Sequence, residues 1–192
     1  MAQPHHFSQS GLWFLNSTAL LRMPMRWLLD ENLAEAINAP AHGLSAEEVE
    51  ANLLTLLARG LVYVTHDDVV VDDPTPADVQ RALREPWDQR PAWHLGLTPV
   101  GGVAWEQATG WDWLSFVDTT FADREDGRTS TGEFIGQDAE LVRLEVDRSC
   151  QSEGELIPGT TRWDIISPWE ATYWKRLPWG YRMRFDCHSR EG

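Results

Sequence analysis

The stretch HLGLTPVGGVAWEQ, residues 94–107, constrains the fold more than any other part of the chain. WHLGL has the character of a short strand, Thr98 is a good helix N-cap, and Pro99 stands at the first helical position, where its missing N–H costs nothing. A strand therefore turns into a helix without a loop between them. Gly101 and Gly102 weaken that helix by about 1 kcal/mol each relative to alanine, and close packing against another backbone is the offset that small residues permit. The same device, Thr75 followed by Pro76, opens a helix in TPADVQRALRE at 75–85.

Upstream, PMRWLLDENLAEAIN sets Trp27, Leu28, Leu33 and Ile37 on helical spacing. With a break around Asp30 to Asn32, this predicts one helix or two short ones over 24–38. LSAEEVEANLLTLLARG has Ser45 and Glu48 in the capping-box relation and Val49, Leu53, Leu56 and Leu57 on one face, and it stops at Gly60. LVYVTHDDVVV then reads as a hairpin around THDD. Residues 1–19 are assigned to an N-terminal segment, partly disordered, that includes His5 and His6.

This order of helices, hairpin and L-T-P-x-G-G turn resembles the winged-helix (winged helix-turn-helix) domains of bacterial transcriptional regulators, in which a wing strand ends in a similar L-T-x-x-G turn. The resemblance covers residues 20–108, and the helix at 75–85 is an addition to the simplest pattern. It implies a recognition helix at Ser45–Gly60, which in DNA-binding members offers Arg, Lys, Asn or Gln to base edges in the major groove. Here Glu47, Glu48 and Glu50 stand against the single Arg59. Carboxylates at a helix N-terminus stabilise the helix dipole, but they repel phosphates. The hairpin tip, with Asp72 and Asp73 behind it, is acidic as well.

Residues 109–192 read as a Trp-rich α+β domain with antiparallel strands, packed against the winged-helix-like domain because no flexible linker appears near residue 110. TGWDWLSFVD is amphipathic, with Trp113, Phe116 and Val117 placed to continue the core of the preceding helix. TTFADREDGRTSTGE reads as an exposed loop. ELVRLEVDRSC fits both periods: Leu144 and Val146 alternate as in a strand, whereas Val142, Val146 and Cys150 make a helical stripe. TRWDII alternates. YRMRFDCH does so strictly, with Tyr181, Met183, Phe185 and Cys187 on the inner side of a half-buried antiparallel strand. Between these strands, SPWEATYWKRLPWG is interrupted by Pro168 and Pro178 and reads as an ordered connection.

Charge narrows the functional classes. The net charge is −14, Lys175 is the only lysine, and the acidic excess is the same in both halves of the chain. Affinity for DNA rests largely on neutralising phosphates, so nucleic acid is disfavoured, whereas a basic protein is attracted over a long range. No apolar run reaches the roughly 18 residues of a membrane span and MAQPHHFSQS has no leader character, so a cytoplasmic location is expected. Cys150 and Cys187 read as reduced thiols rather than a disulfide framework.

His66, Asp67 and Asp68 sit in a tight turn without metal-ligand spacing, and in DCH the thiol of Cys187 and the ring of His188 point to opposite faces. No phosphate-binding loop, nucleophile elbow or zincin motif is present, so neither catalysis nor a cofactor or metal is expected. The reading that results is a non-enzymatic acidic protein that neutralises or regulates a basic protein partner, in the manner of an immunity protein or antitoxin; a homodimer is compatible with it. Its candidate contact residues are Glu47, Glu48 and Glu50, together with the aromatic and basic cluster of Trp169, Tyr173, Trp174, Lys175, Arg176 and Trp179. The alternatives are a winged-helix DNA-binding regulator whose contacts come from Arg162 to Arg184 or from a dimer surface, and a small-molecule sensor built on the tryptophans. For every tryptophan of the cluster, burial in a core is the competing explanation.

Overall fold

The computed structural model describes residues 7–30, 42–124 and 128–189, with the side chains of 151–153 and 189 left aside. It is a mixed α and β protein whose sheets are antiparallel. Two compact units divide it: unit 1 comprises Met1–Trp111 with Thr172–Lys175, and unit 2 comprises Asp112–Ala171 with Arg176–Gly192.

Unit 1 begins with helix α1, Gln9–Thr18, capped by Ser8, whose Oγ accepts from the N–H of Gly11. Phe14 and Leu15 on this helix are fully buried. The sequence carries little sign of α1, because its apolar residues Leu12 to Leu15 are consecutive rather than helically spaced and it has no charge pattern. Strand β1 is Met23–Pro24, and Met25–Leu29 follows as a 3-10 turn. The α-helix expected from Pro24 is therefore a bridge and a tight turn over its first six residues. The rest of that expectation, with Leu33 and Ile37, lies outside the described residues, as do His5 and His6.

Helix α2, Ala46–Ala58, has the expected capping box: Ser45 Oγ accepts from the Glu48 N–H, and Glu48 accepts from the Ser45 N–H. Val49, Leu53 and Leu56 are buried on one face, and Gly60 leaves the helix with φ +64°, which favours glycine. Strands β2 (Val62–His66) and β3 (Val69–Val70) join through Asp67 and Asp68, both at positive φ, as a two-residue hairpin turn demands. Helix α3, Pro76–Leu83, has a second capping box, between Thr75 and Asp78.

Strand β4, Trp93–Leu97, passes directly into helix α4, Pro99–Thr109, with Thr98 as cap. The sheet order is β1-β4-β2-β3. The cost of two glycines in α4 is explained by what they face. A Cβ on Gly101 would lie 1.7 Å from the carbonyl oxygen of Leu61, and one on Gly102 would lie 2.1 Å from the ring of Trp174.

Unit 2 departs from expectation at its start. Gly110, in the left-handed conformation, ends α4. Trp113 instead opens a 3-10 turn, Trp113–Ser115, that leads into β5, Val117–Asp123. The segment read as an exposed loop is a β-hairpin, β5 with β6 (Thr129–Gly136), in register from Val117 opposite Gly136 to Asp123 opposite Ser130. Its threonines suit a pleated surface, and of its two glycines Gly132 lies under the Phe185 ring, which a Cβ would meet at 2.4 Å, while Gly127 is outside the described residues.

The ambiguous segment is helix α5, Ala139–Glu153, capped by Asp138. Its Val142 and Val146 pack on Phe134, Met183, Phe185 and Cys187, so the helical stripe prevailed over the alternation. The remaining strands are β7 (Gly154–Leu156), β8 (Arg162–Ile166), β9 (Trp169–Glu170), β10 (Arg176–Leu177) and β11 (Gly180–Ser189). The main sheet runs β5-β6-β11, and on the far side of β11 strand β8 pairs with its residues 180–184 and β7 with its residues 187–189.

Side chains alternate across β11 as expected: Met183, Phe185 and Cys187 are buried towards α5, while the opposite face carries a charge ladder. There Arg182 grips Asp164 with two N–H groups, Arg184 pairs with Glu133, and Arg124 bonds Asp186 at 2.6 Å. Among the described residues no helix is long and apolar enough to cross a membrane.

Candidate functional site

The exposed acids of unit 1 singled out above lie at two places, the first turn of α2 and the β2–β3 hairpin with the residues behind it. Glu47 is exposed at the second position of α2. Its own backbone N–H and then the Ser45 hydroxyl hold its carboxyl below the usual glutamate range, with Arg84 adding a smaller push in the same direction. Glu48 is committed to the capping box. Glu50 is partly covered and accepts both N–H···O contacts from the Gln80 side chain of α3, at 2.9 and 3.0 Å. The helix at 75–85 is thus fastened across α2. At the hairpin tip, Asp67 and Asp68 are exposed and Arg22 approaches Asp68 at 3.5 Å. Asp72 and Asp73 follow, both exposed.

Next to this surface, Arg26 is almost wholly buried and organises the loop after α3. Its guanidinium donates to the carbonyls of Pro86 and Gln89 and lies under the exposed ring of Trp87, 4.9 Å from the centroid. Two open hollows of about 540 and 550 Å³ meet along Arg84, Glu85 and Pro86. One oxygen of Glu85 accepts from the Ala92 N–H at 2.9 Å, while the other is buried without a partner among the described residues. Neither hollow brings together a nucleophile with a base, and no group of three or more His, Cys, Asp or Glu able to hold a metal ion occurs among the described residues.

The C-terminal candidates do not form one cluster. Trp169 is 2% exposed, stacked 6.2 Å from Phe116 and packed over Gly180 in the interior of unit 2. Tyr173, Trp174 and Lys175 belong to unit 1 and close the end of α1. The Tyr173 hydroxyl donates to the Thr18 carbonyl and accepts from the Leu97 N–H, each at 2.6 Å, and the Trp174 indole donates to the Ala19 carbonyl at 2.7 Å. These are carbonyls that a helix C-terminus leaves without an intrahelical partner. Lys175 pairs with Glu106 of α4. Arg176 is exposed on β10 opposite Glu170, and Trp179 is half-buried, edge-on to Tyr181 at 5.1 Å.

Part of the positive charge from Arg162 to Arg184 is paired within the stretch, Arg182 with Asp164, and part is answered by Glu133 and Glu106, side chains distant in sequence. Sequence reasoning had no signal for the anchoring role of Tyr173, because its partners are backbone groups more than 70 residues away.

No family model, no curated protein and no solved structure matches the chain.

Burial raises the Tyr173 phenol above the ordinary tyrosine value; the neighbouring Tyr63 adds to the shift, and the Leu97 N–H and Arg22 oppose it. The folded state therefore holds this proton where the unfolded chain would release it. Its stabilising contribution is complete below pH ~10 and is lost as pH rises beyond that. Tyr173→Phe leaves two backbone groups without partners and is expected to cost ~1–3 kcal/mol at neutral pH. It should also flatten the decline in stability above pH ~10. Urea titrations of both proteins at neutral and alkaline pH check this; a variant that keeps the full alkaline decline would refute the assignment.

Proposed function

We propose that the protein acts by binding a basic protein partner through the acidic surface of unit 1, as an immunity-like or antitoxin-like neutralising protein. The observation that carries this reading is the composition and cover of α2. The first turn presents Glu47 to solvent, fully ionised at neutral pH, and α3 lies against the same helix with Gln80 on Glu50. A winged-helix origin for unit 1 is supported by α2 preceding β2, by β4 pairing between β1 and β2, and by the Thr98–Pro99 entry to α4. In such a domain α2 would be the groove-reading helix, and here the charge is wrong for phosphates and α3 occupies its flank.

The test compares the wild-type chain with a Glu47→Lys, Asp72→Lys double variant, both positions being exposed and neither at positive φ. Each is immobilised and exposed to lysate of the native host at low and high salt, and captured proteins and nucleic acids are identified. The expected result is a basic protein retained by the wild type, released by salt and lost by the variant. Capture of DNA in its place, undiminished or increased in the variant, would overturn this reading in favour of a DNA-binding regulator.

A further inference from the structure

Among the described residues, the main sheet of unit 2 leaves β8 as an edge strand, paired on one side with β11 only. Natural edges are usually protected by charges, prolines or bulges, and a flat edge with large apolar side chains invites pairing with another strand. On the α5 side of β8, Trp163 is 44% exposed and Ile165 62% exposed, and with Ala139, Arg143 and Tyr181 they line an open, mostly apolar hollow of about 360 Å³. On the other side, Arg162 has no ion pair among the described residues, and Asp164 is held by Arg182.

We propose that β8 pairs antiparallel with β8 of a second copy of this chain, about a two-fold axis at Trp163, joining the two sheets into one. The occupant is read from the strand's own charge order. Because strand side chains alternate in direction, a symmetric antiparallel pairing must be centred on one residue. Centred on Trp163, it sets Arg162 of each copy opposite Asp164 of the other, and Trp163 opposite Trp163 with Ile165 on the diagonals.

Centred on Asp164, it would place two carboxylates face to face, which is unfavourable. Centred on Ile165, it leaves both charges facing apolar or neutral residues and brings Pro168, which has no N–H, into the ladder. Asp164 has room for a second guanidinium, since a carboxylate offers about four lone-pair sites. The overall charge of −14 opposes association, so the dimer should form where salt screens it, at about 0.15 M, with a Debye length of ~8 Å.

Sedimentation of the full chain over a concentration series at that salt is the test. The wild type is expected to show a reversible monomer–dimer equilibrium. R162E, which sets like charges opposite Asp164 at two places, should weaken it about tenfold or more, and W163S should weaken it comparably. D164R sets like charges opposite Arg162 and should also stay monomeric. An equimolar mixture of R162E and D164R should dimerise at wild-type concentrations, because every cross-seam pair is then of opposite sign.

A wild-type chain that is monomeric at every concentration reached, an R162E dimer as tight as the wild type, or a mixture of folded variants that does not associate would each overturn the proposal. Should D164R fail to fold through loss of the Arg182 contact, R162E and W163S decide the matter between them.

Discussion

Gly101→Ala is expected to prevent unit 1 from folding stably. The added Cβ would sit 1.7 Å from the Leu61 carbonyl oxygen and 2.7 Å from its carbon, both backbone atoms that no rotamer change can clear. Nor can the helix drift away, because the Leu61 carbonyl accepts the Thr98 N–H at 3.1 Å and the Thr98 hydroxyl bonds the Gly60 carbonyl at 2.7 Å. Helix propensity favours alanine over glycine by about 1 kcal/mol. Ordinary overpacking costs about 1–3 kcal/mol, and a displacement of more than an ångström between two pinned backbones should exceed that range, so the clash wins. Gly102→Ala provides the contrast, since its Cβ would meet the side chain of Trp174, which can turn at the cost of its bond to Ala19. Thermal unfolding followed by near-UV circular dichroism should show Gly101→Ala as the more damaged of the two. A Gly101→Ala protein that melts within a few degrees of the wild type would mean that α4 does not approach Leu61 this closely.

Trp169→Ala is expected to destabilise unit 2 by ~3–5 kcal/mol, the range for truncating a large aromatic in a packed interior. Set against a typical domain stability of ~5–15 kcal/mol, that is a substantial share of the total. The ring is buried against Phe116 and Gly180 and its residue pairs with Leu177 in the β9–β10 hairpin, so its removal leaves a cavity in the interior of unit 2. Its indole N–H is buried without a partner among the described residues, and an unsatisfied donor of this kind costs ~1–3 kcal/mol. Trp169→Phe keeps the stacking and removes that donor, and should therefore be much milder than Trp169→Ala. Urea denaturation of the three proteins measures the ordering through the midpoints. If Trp169→Ala left the midpoint unchanged and instead abolished capture of a partner, the ring would be a contact residue rather than a core one.

Elements bounded by capping chemistry were legible in the sequence because a cap is a local event. Ser45 with Glu48, Thr75 with Pro76, and Thr98 with Pro99 each satisfy donors within one turn of themselves, so no knowledge of the rest of the chain is needed. The strict alternation of Tyr181, Met183, Phe185 and Cys187 is equally local and placed β11 with its buried side correct. The β5–β6 hairpin was hidden for the opposite reason. One face of its sheet carries charges such as Glu133 and Arg124, whose partners Arg184 and Asp186 are supplied by β11, so in one dimension it looks like solvated loop. Nothing local marked Gly132 as a packing position, because the Phe185 ring it accommodates is more than 50 positions away.

Of the candidate contact residues, those on α2 could be placed from sequence, since periodicity alone puts Glu47 and Glu48 outside and Val49 and Leu53 inside. The aromatic segment could not. Trp169, Tyr173, Trp174 and Trp179 are alike in composition and close in sequence, yet one fills a core, two close the end of α1 and one lies half-covered beside Tyr181. Burial of an aromatic depends on which surfaces the completed fold brings to it, and those surfaces belong to residues such as Thr18, Ala19, Leu97 and Phe116. The charge, the caps, the hairpin at Asp67–Asp68 and the alternating strand are legible in one dimension, because each depends on neighbours within a few residues. Which aromatics are interior and which arginines are neutralised is settled on packing alone, because those outcomes depend on groups that meet only when distant segments come together.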